Sequence, residues 1–350
     1  MNTKNKPKVF FLPWDRHKEL EKLIQDSSAV SGIQKNDYVA VKLHFGERGG
    51  DGHIKPEFMR PILKSIKNKK AKPFLTDTNT IYHGPRNNAI GHLEVAAEHG
   101  YSQNRMQVPI IIADGLLGDD YTNVDIDGNH FKSVKIATTI RKANRIIAAS
   151  HFKGHLLAGF GGAIKNLGMG CGAKAGKFEM HCSVAPTVEV RNCVGCELCV
   201  PKCAQSALTV VSKKIQLDKN KCVGCGECVI ACHTNALSIT WSEGTKSVQE
   251  RFVEYAKGAV KDTPCFYINF LNHISPNCDC MGMKEKPMLD DIGILASVDP
   301  VAIDQACYDL VVKKAGDVFL KAHPGIDGRI QLEYAEKLGM GSRDYELKNV

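Results

Sequence analysis

The sequence predicts an α/β protein interrupted by a small cysteine-rich module. Three observations point there. Strand-like and helix-like stretches alternate along both flanks of the chain, eight of the fourteen cysteines fall into two matching runs between those flanks, and a glycine-rich segment directly follows one expected strand. The 350 residues (38.4 kDa) have room for two domains and one sizeable core, at roughly 100–200 residues per domain. An apolar fraction of 43% and a charged fraction of 24% fit a folded globular chain and exclude disordered and fibrous classes. No apolar run approaches the roughly 18 residues that a transmembrane helix needs, so no membrane association is expected. Met1–Lys8 is polar and basic, and Val9–Leu12 is too short for the apolar core of a signal peptide, so a cytoplasmic location is expected. The net charge of +8 is spread along the chain without an arginine cluster or basic–aromatic interleaving, and no nucleic-acid partner is expected.

In chain order, Tyr38–Phe45 (YVAVKLHF) reads as a buried strand. Pro56 opens a helix that carries Phe58, Met59, Ile62, Leu63 and Ile66 at helical spacing. A strand at Phe74–Asp77, a helix at Asn88–His99 and a strand at Val108–Asp114 follow. A hairpin across Val124–Ile136 turns at Asp127-Gly128, and Arg145–Ser150 is the next strand. Beyond the cysteines, Val248, Phe252, Ala256 and Ala259 mark a helix, with strands at Phe266–Leu271 and Ile292–Ser297. Asp299-Pro300 is an N-cap followed by proline at the first helical position, and the helix behind it presents Ile303, Ala306, Cys307 and Leu310. Lysines in Lys64–Lys72 and at Lys313-Lys314 read as solvated helix ends. The expected organisation is an α/β domain whose first part is 1–185, a module at 186–241, and a completing part at 242–350.

The module carries the sharpest chemistry. Cys193, Cys196, Cys199 and Cys203 repeat 29 residues later as Cys222, Cys225, Cys228 and Cys232, both runs spaced C-x2-C-x2-C-x3-C. The repeat extends to Val194-Gly195 against Val223-Gly224 and Ala207-Leu208 against Ala236-Leu237, an internal duplication, with Leu208–Val211 and Lys214–Leu217 as a hairpin between the copies. A [4Fe–4S] cube needs one soft thiolate on each of four irons, and a tight loop with two-residue gaps reaches three of them. In bacterial ferredoxins the last cysteine of each run ligates the other cluster. Such a bacterial-ferredoxin-like (α+β) 2x[4Fe-4S] module would place Cys193, Cys196, Cys199 and Cys232 on one cluster, and Cys222, Cys225, Cys228 and Cys203 on the other. The proline that usually follows the last cysteine is replaced by Ala204 and His233. Zinc is the bland alternative, but a zinc knuckle uses two cysteines, whereas each run offers three plus a fourth.

The second informative stretch runs from His151 to Gly170 and contains Lys153, His155, Gly159, Gly161, Gly162 and Lys165. It reads as a loop at the carboxyl end of a strand, where open α/β sheets bind ligands. Six glycines let backbone amides approach a ligand, and Lys153, Lys165 and two histidines add donors for an anion or a metal. Neither a dinucleotide fingerprint nor a P-loop is present.

The chain resembles the uncharacterised iron–sulfur centre proteins, a domain-of-unknown-function family with a ferredoxin module set inside an α/β domain. The resemblance rests on Lys42-Leu-His44-Phe-Gly46, Asp77-Thr-Asn79, the His151–Gly170 segment, both cysteine runs and Ser297–Asp304, and implies no particular reaction. A narrower likeness joins His155-x-x-Ala158-Gly159-Phe160-x-Gly162-x-x-Lys165, followed by His181, to the nickel-pincer lactate racemases. It implies His155 as a proton carrier, Lys165 as the tether of a nickel cofactor at the glycine-rich loop and His181 as a metal ligand. His83 with Arg86 would supply a second acid/base and a carboxylate clamp. Gly161 and Ala163 depart from that pattern.

Six cysteines remain. Cys265 and Cys307 read as core, and Cys171 and Cys182 as secondary ligand candidates beside His181. Cys278-Asp-Cys280, with His273, Met281 and Met283 nearby, reads as a soft metal site, a reducible pair or an inert loop. The expected function is an iron–sulfur oxidoreductase. Two [4Fe–4S] clusters pass electrons from a ferredoxin, flavodoxin or oxidoreductase partner to a small anion held by Lys165, Lys153, His155 and loop amides. Two alternatives stand beside it: an electron carrier whose α/β domain only docks a partner, and a racemase-like enzyme with a nickel-pincer-type cofactor.

Overall fold

The computed structural model describes residues 6–82, 84–181, 185–203, 205–222, 226–238 and 244–350. Eight strands form the main sheet: β1 (Lys8–Pro13), β2 (Tyr38–Lys42), β3 (Lys72–Asp77), β4 (Ile110–Ile112), β5 (Arg145–His151), β6 (Cys265–Leu271), β7 (Gly293–Ser297) and β8 (Glu346–Asn349). Their spatial order is β8-β1-β7-β6-β5-β2-β3-β4, so strands from both sides of the cysteine runs enter one sheet. Five neighbours, β6, β5, β2, β3 and β4, are parallel. Only β7 runs against both of its neighbours. The molecule has a mixed α/β fold built on a large, mostly parallel sheet.

The helices of eight residues or more are α1 (Pro56–Asn68), α2 (Ala89–Glu98), α3 (Ala163–Cys171), α4 (Lys174–His181), α5 (Thr245–Val260), α6 (Pro300–Ala315) and α7 (Arg329–Lys337). They cover both faces of the sheet, which is why the central strands are largely apolar on both sides. Alternation along β5 separates the two cores: Ile146 and Ala148 join one, with Ile164, Phe252 and Ile303, while Ile147 and Ala149 join the other, with Met59, Ile62 and Ile66. The helix signals hold in detail. Met59, Ile62, Leu63 and Ile66 are the buried stripe of α1. The Asp299 carboxylate accepts the N–H groups of Val301 (2.9 Å) and Ala302 (2.8 Å), capping α6. Among the described residues no helix is long and apolar enough to cross a membrane.

Residues 187–238 hold two small antiparallel pairs, Thr187–Val188 with Leu237–Ser238 and Leu208–Val211 with Lys214–Leu217. Cys199, Leu208, Ile215, Cys228 and Leu237 form a separate core there.

The glycine-rich segment departs from the expected loop. Lys153–His155 pairs antiparallel with Gly159–Gly161, and α3 begins at Ala163. The reason lies far along the chain. The buried carboxylate of Asp304, on α6, accepts the N–H groups of Ala163 (2.8 Å) and Ile164 (2.9 Å) and the Asn269 amide (2.6 Å). Gly162 is needed for this approach, because a Cβ there would lie 2.3 Å from an Asp304 oxygen. The amides expected to cradle an anion are therefore spent on a protein carboxylate.

Candidate functional site

The strand sequence turns back between β2 and β5: β3 and β4 extend to one side of β2, while β5 and β6 lie on the other. At such a switch point the two connections leave in opposite directions, and a crevice opens beyond the carboxyl ends. Asn166, on α3, holds its inner wall. Its amide group donates to Ala149 O (3.1 Å), Ser150 Oγ (3.0 Å) and Lys42 O (3.3 Å), while Oδ1 accepts from Lys42 Nζ (2.8 Å). The result is a cavity of about 640 Å³, within the range that encloses small ligands.

Its floor is cationic, and most of the cations are anchored. Lys42 pairs with Asp77 at 3.0 Å. Desolvation opposes ionisation of Asp77, but Lys42, His92, His44 and Arg86 together hold its carboxyl far below the usual range. Arg86, fully buried, donates to Glu47 Oε2 (2.9 Å) and to Tyr82 Oη (2.5 Å), and lies 3.2 Å from His44 Nε2. Lys153 Nζ donates to the His151 carbonyl and reaches Asp279 Oδ2, both at 3.1 Å. Two lysines supply the surplus. Lys165, one turn into α3, has no carboxylate partner among the described residues. Lys177, on α4, donates to Thr78 Oγ1 (2.5 Å) and Gly172 O (2.6 Å), and burial brings its pKa down to about 8.

His155, Lys165, Lys153, Gly161, Gly162 and His181 all line this cavity. His155 Nδ1 accepts the N–H groups of Leu157 and Ala158, both at 3.1 Å, so its remaining ring proton sits on Nε2. Burial, with Lys165 nearby, lowers its pKa to about 4 and keeps the ring neutral. His181 ends α4, and burial together with Lys165 and His155 brings its pKa down to about 3. Gly159 lies behind the cavity: its φ is +70°, and a Cβ there would meet Gly328 backbone at 2.6 Å, so it serves packing. Cys171, a candidate ligand by sequence, is buried in the core, and burial raises its thiol to about 11. Cys182, His83 and Cys225 lie outside the described residues.

The sequence matches the family described as a domain of unknown function, DUF362, over residues 39–309. The chain belongs to the DUF362 family. No curated protein matches it. Among solved structures it is similar to the lactate racemase apoprotein of Thermoanaerobacterium thermosaccharolyticum, with 13% identity, a TM-score of 0.39, and coverage of 76% of this chain and 50% of that one. It is also similar to a Thermotoga maritima protein, at 11% identity and a TM-score of 0.36, covering 92% of this chain and 58% of that one. The DUF362 chain thus spans little more than half the length of these structures.

The fold of this DUF362 chain adds residues to the cavity that sequence reading did not single out. Lys177 arrives on α4, and Tyr82 follows β3. Cys278 and Cys280, the C-x-C pair already marked in the sequence, join the same cavity on the connection after β6. His151 Nδ1 sits 3.0 Å from both Asp279 oxygens, which pins that connection to the end of β5. In the cysteine runs, burial raises the Cys199 thiol, and the nearby Cys232, Cys196 and Cys193 thiols raise it further. Cys203, Cys222 and Cys228 line a separate cavity of about 500 Å³. Backbone N–H groups point at the sulfurs, Ile215 to Cys193 at 3.3 Å and Ala207 to Cys203 at 3.2 Å.

Proposed function

We propose that this chain is an iron–sulfur redox protein that relays electrons through two [4Fe–4S] clusters to a small anion in the switch-point cavity. The observation that carries the reading is the grouping of thiols. Cys193 of the first run and Cys232, the last cysteine of the second, both pack on the small core that holds Cys199. Cys203, the last of the first run, shares its cavity with Cys222 and Cys228 of the second. A crossed pairing of this kind is what two interlocked cubes require. When bound, the clusters supply one-electron transfer. The protein's own part is to tune them: the Ile215 and Ala207 amides, and the amides of Leu237, Thr234 and Ala236 around Cys232, stabilise charge on sulfur. Exposed Val194 and Leu198 give a redox partner such as a ferredoxin, flavodoxin or oxidoreductase an apolar surface beside the first run. The anion is held by Lys165 and Lys177, the two lysines of the cavity without a carboxylate partner among the described residues.

Anaerobically purified protein is expected to contain about eight irons per chain, falling to about four in Cys232→Ser. Zinc in place of iron would refute the cluster reading. Lys165→Ala is expected to weaken binding of small carboxylates and oxyanions while leaving the iron content unchanged. Wild-type protein that binds no anion would leave an electron carrier with a docking-only α/β domain.

A second reading is favoured by one observation: His155, Lys165 and His181 line the same cavity. His181 is neutral, as a metal ligand must be, and Lys165 is not tied to a carboxylate. The residues fit a tethered nickel-pincer-type cofactor, with Lys165 as tether and His181 as ligand, while His155, its ring proton already on Nε2, would act there as a hydrogen-bond donor. Such an enzyme would show about one nickel per chain and added mass on Lys165.

A further inference from the structure

Cys278 and Cys280 have no task in that reading, yet they sit in the same cavity. They are separated by one residue and open the short helix Asp279–Met281. The residue between them is immobilised: Asp279 is buried, bonded to His151 and paired with Lys153. Both cysteines line that cavity together with His155, Lys153 and Lys165. Because Nδ1 of His155 already accepts two amides, the ring has only Nε2–H to offer the cavity, a donor that favours a thiolate beside it. Lys165 and Lys153 add positive charge near Cys278, which favours its thiolate. Neither sulfur belongs to the fold's packing the way Cys307 and Cys171 do.

We propose that Cys278 and Cys280 form a redox-active pair that converts the one-electron chemistry of the clusters into two-electron chemistry in the cavity. The proposal rests on the cluster reading for its electron source. The step balances: a thiolate and a thiol become a disulfide, forming one S–S bond and releasing two electrons and one proton. The two [4Fe–4S] clusters take one electron each. The reverse reaction returns both electrons, leaves Cys278 as the thiolate facing His155 Nε2–H, and protonates Cys280 from solvent at the cavity mouth. The geometry suits the transfer. Helix α4 separates the cavity from the second cysteine run, with Lys177 and His181 on the cavity side and Phe178 against Gly226 on the other, where a Cβ would lie 2.1 Å from the ring. The barrier between them is thus one helix, about 10–12 Å across.

The test uses the full chain, purified without oxygen and poised in mixtures of oxidised and reduced dithiothreitol. The samples are then alkylated under denaturing conditions. The tryptic peptide Asp262–Lys284 holds three cysteines, Cys265, Cys278 and Cys280. One label on oxidation and three on reduction, with Cys265 as the constant, supports the pair. Three labels at every potential overturns it. Cys280→Ser should trap oxidised glutathione on Cys278, while Cys278→Ser should react at least tenfold more slowly at Cys280; equal rates overturn the assigned roles. Reductive titration should consume about four electrons per wild-type chain and about two in the double variant Cys278→Ala/Cys280→Ala. If the chain holds no iron but the pair still interconverts, the cluster reading alone fails. If the clusters titrate and the peptide always carries three labels, the pair alone fails.

Discussion

Lys177 is charged inside a cavity wall, and that has a measurable cost. Burial lowers its pKa from 10.5 to about 8, only partly offset by Asp114 and Asp77. At about 1.36 kcal/mol per pH unit, keeping the proton on the native protein at neutral pH costs about 3 kcal/mol. In the unfolded chain this lysine holds its proton up to about pH 10.5, in the native protein only to about 8. Between those values the unfolded state binds more protons, so this group makes stability rise with pH across the window and makes no contribution to the slope below it. Lys177→Met removes the charge but also the bonds to Thr78 and to the Gly172 carbonyl, and stranding that carbonyl costs about 1–3 kcal/mol. The net change at pH 7 should therefore lie between about zero and +2 kcal/mol of added stability. The slope is the cleaner reading. In parallel anaerobic urea titrations, wild-type protein should gain about 3 kcal/mol over Lys177→Met between pH 8 and 10.5. Equal slopes for the two proteins would refute the reasoning. If Lys177 also attracts the anion, affinity should fall as pH passes about 8. One charge about 5–8 Å away at an effective dielectric near 20 contributes about 2–3 kcal/mol, a loss of about 30-fold or more.

Further outcomes follow from the same geometry. Asp304→Ala uncaps α3 and leaves two buried amides and Asn269 without their acceptor. It should cost about 3 kcal/mol in chemical unfolding and weaken anion binding through the displaced Lys165. Gly162→Ala drives a methyl group to 2.3 Å from the Asp304 carboxylate and should destabilise the protein by about 1–3 kcal/mol, read as a lowered melting temperature. Because burial holds the pKa of His155 at about 4, His155 should contribute no pH dependence to anion binding between pH 5 and 7. A wild-type inflection near pH 6 that disappears in His155→Gln would contradict the neutral ring.

Local signals made much of the sheet legible. The β5 run Arg-Ile-Ile-Ala-Ala-Ser, the apolar stripe of α1 and the Asp299-Pro300 cap all act within a few residues, and each forms the expected element. Expectations shifted where the deciding partner is distant. The stretch around Gly159 and Gly162 is glycine-rich for close packing against Gly328 and Asp304, and nothing local reveals an acceptor 141 positions away. The same distance conceals the cavity's membership. His155 and Lys165 were recognisable from their motif, but Cys278 meets His155 across more than a hundred residues, through a sheet order that composition does not encode. Nothing local marks Lys177, and only its burial beneath Thr78 and Gly172 gives it a role.

Helix α4 is a party wall between two rooms. Its inner side furnishes the anion chamber with Lys177 and His181, and its outer side leans on the cysteine-bearing lodger through Phe178. If the cysteine runs carry the proposed clusters, a preparation stripped of metal would lose the support behind that partition as well as its electron route. Anion affinity and iron occupancy should then decline together, although no described cysteine of either run lines the cavity.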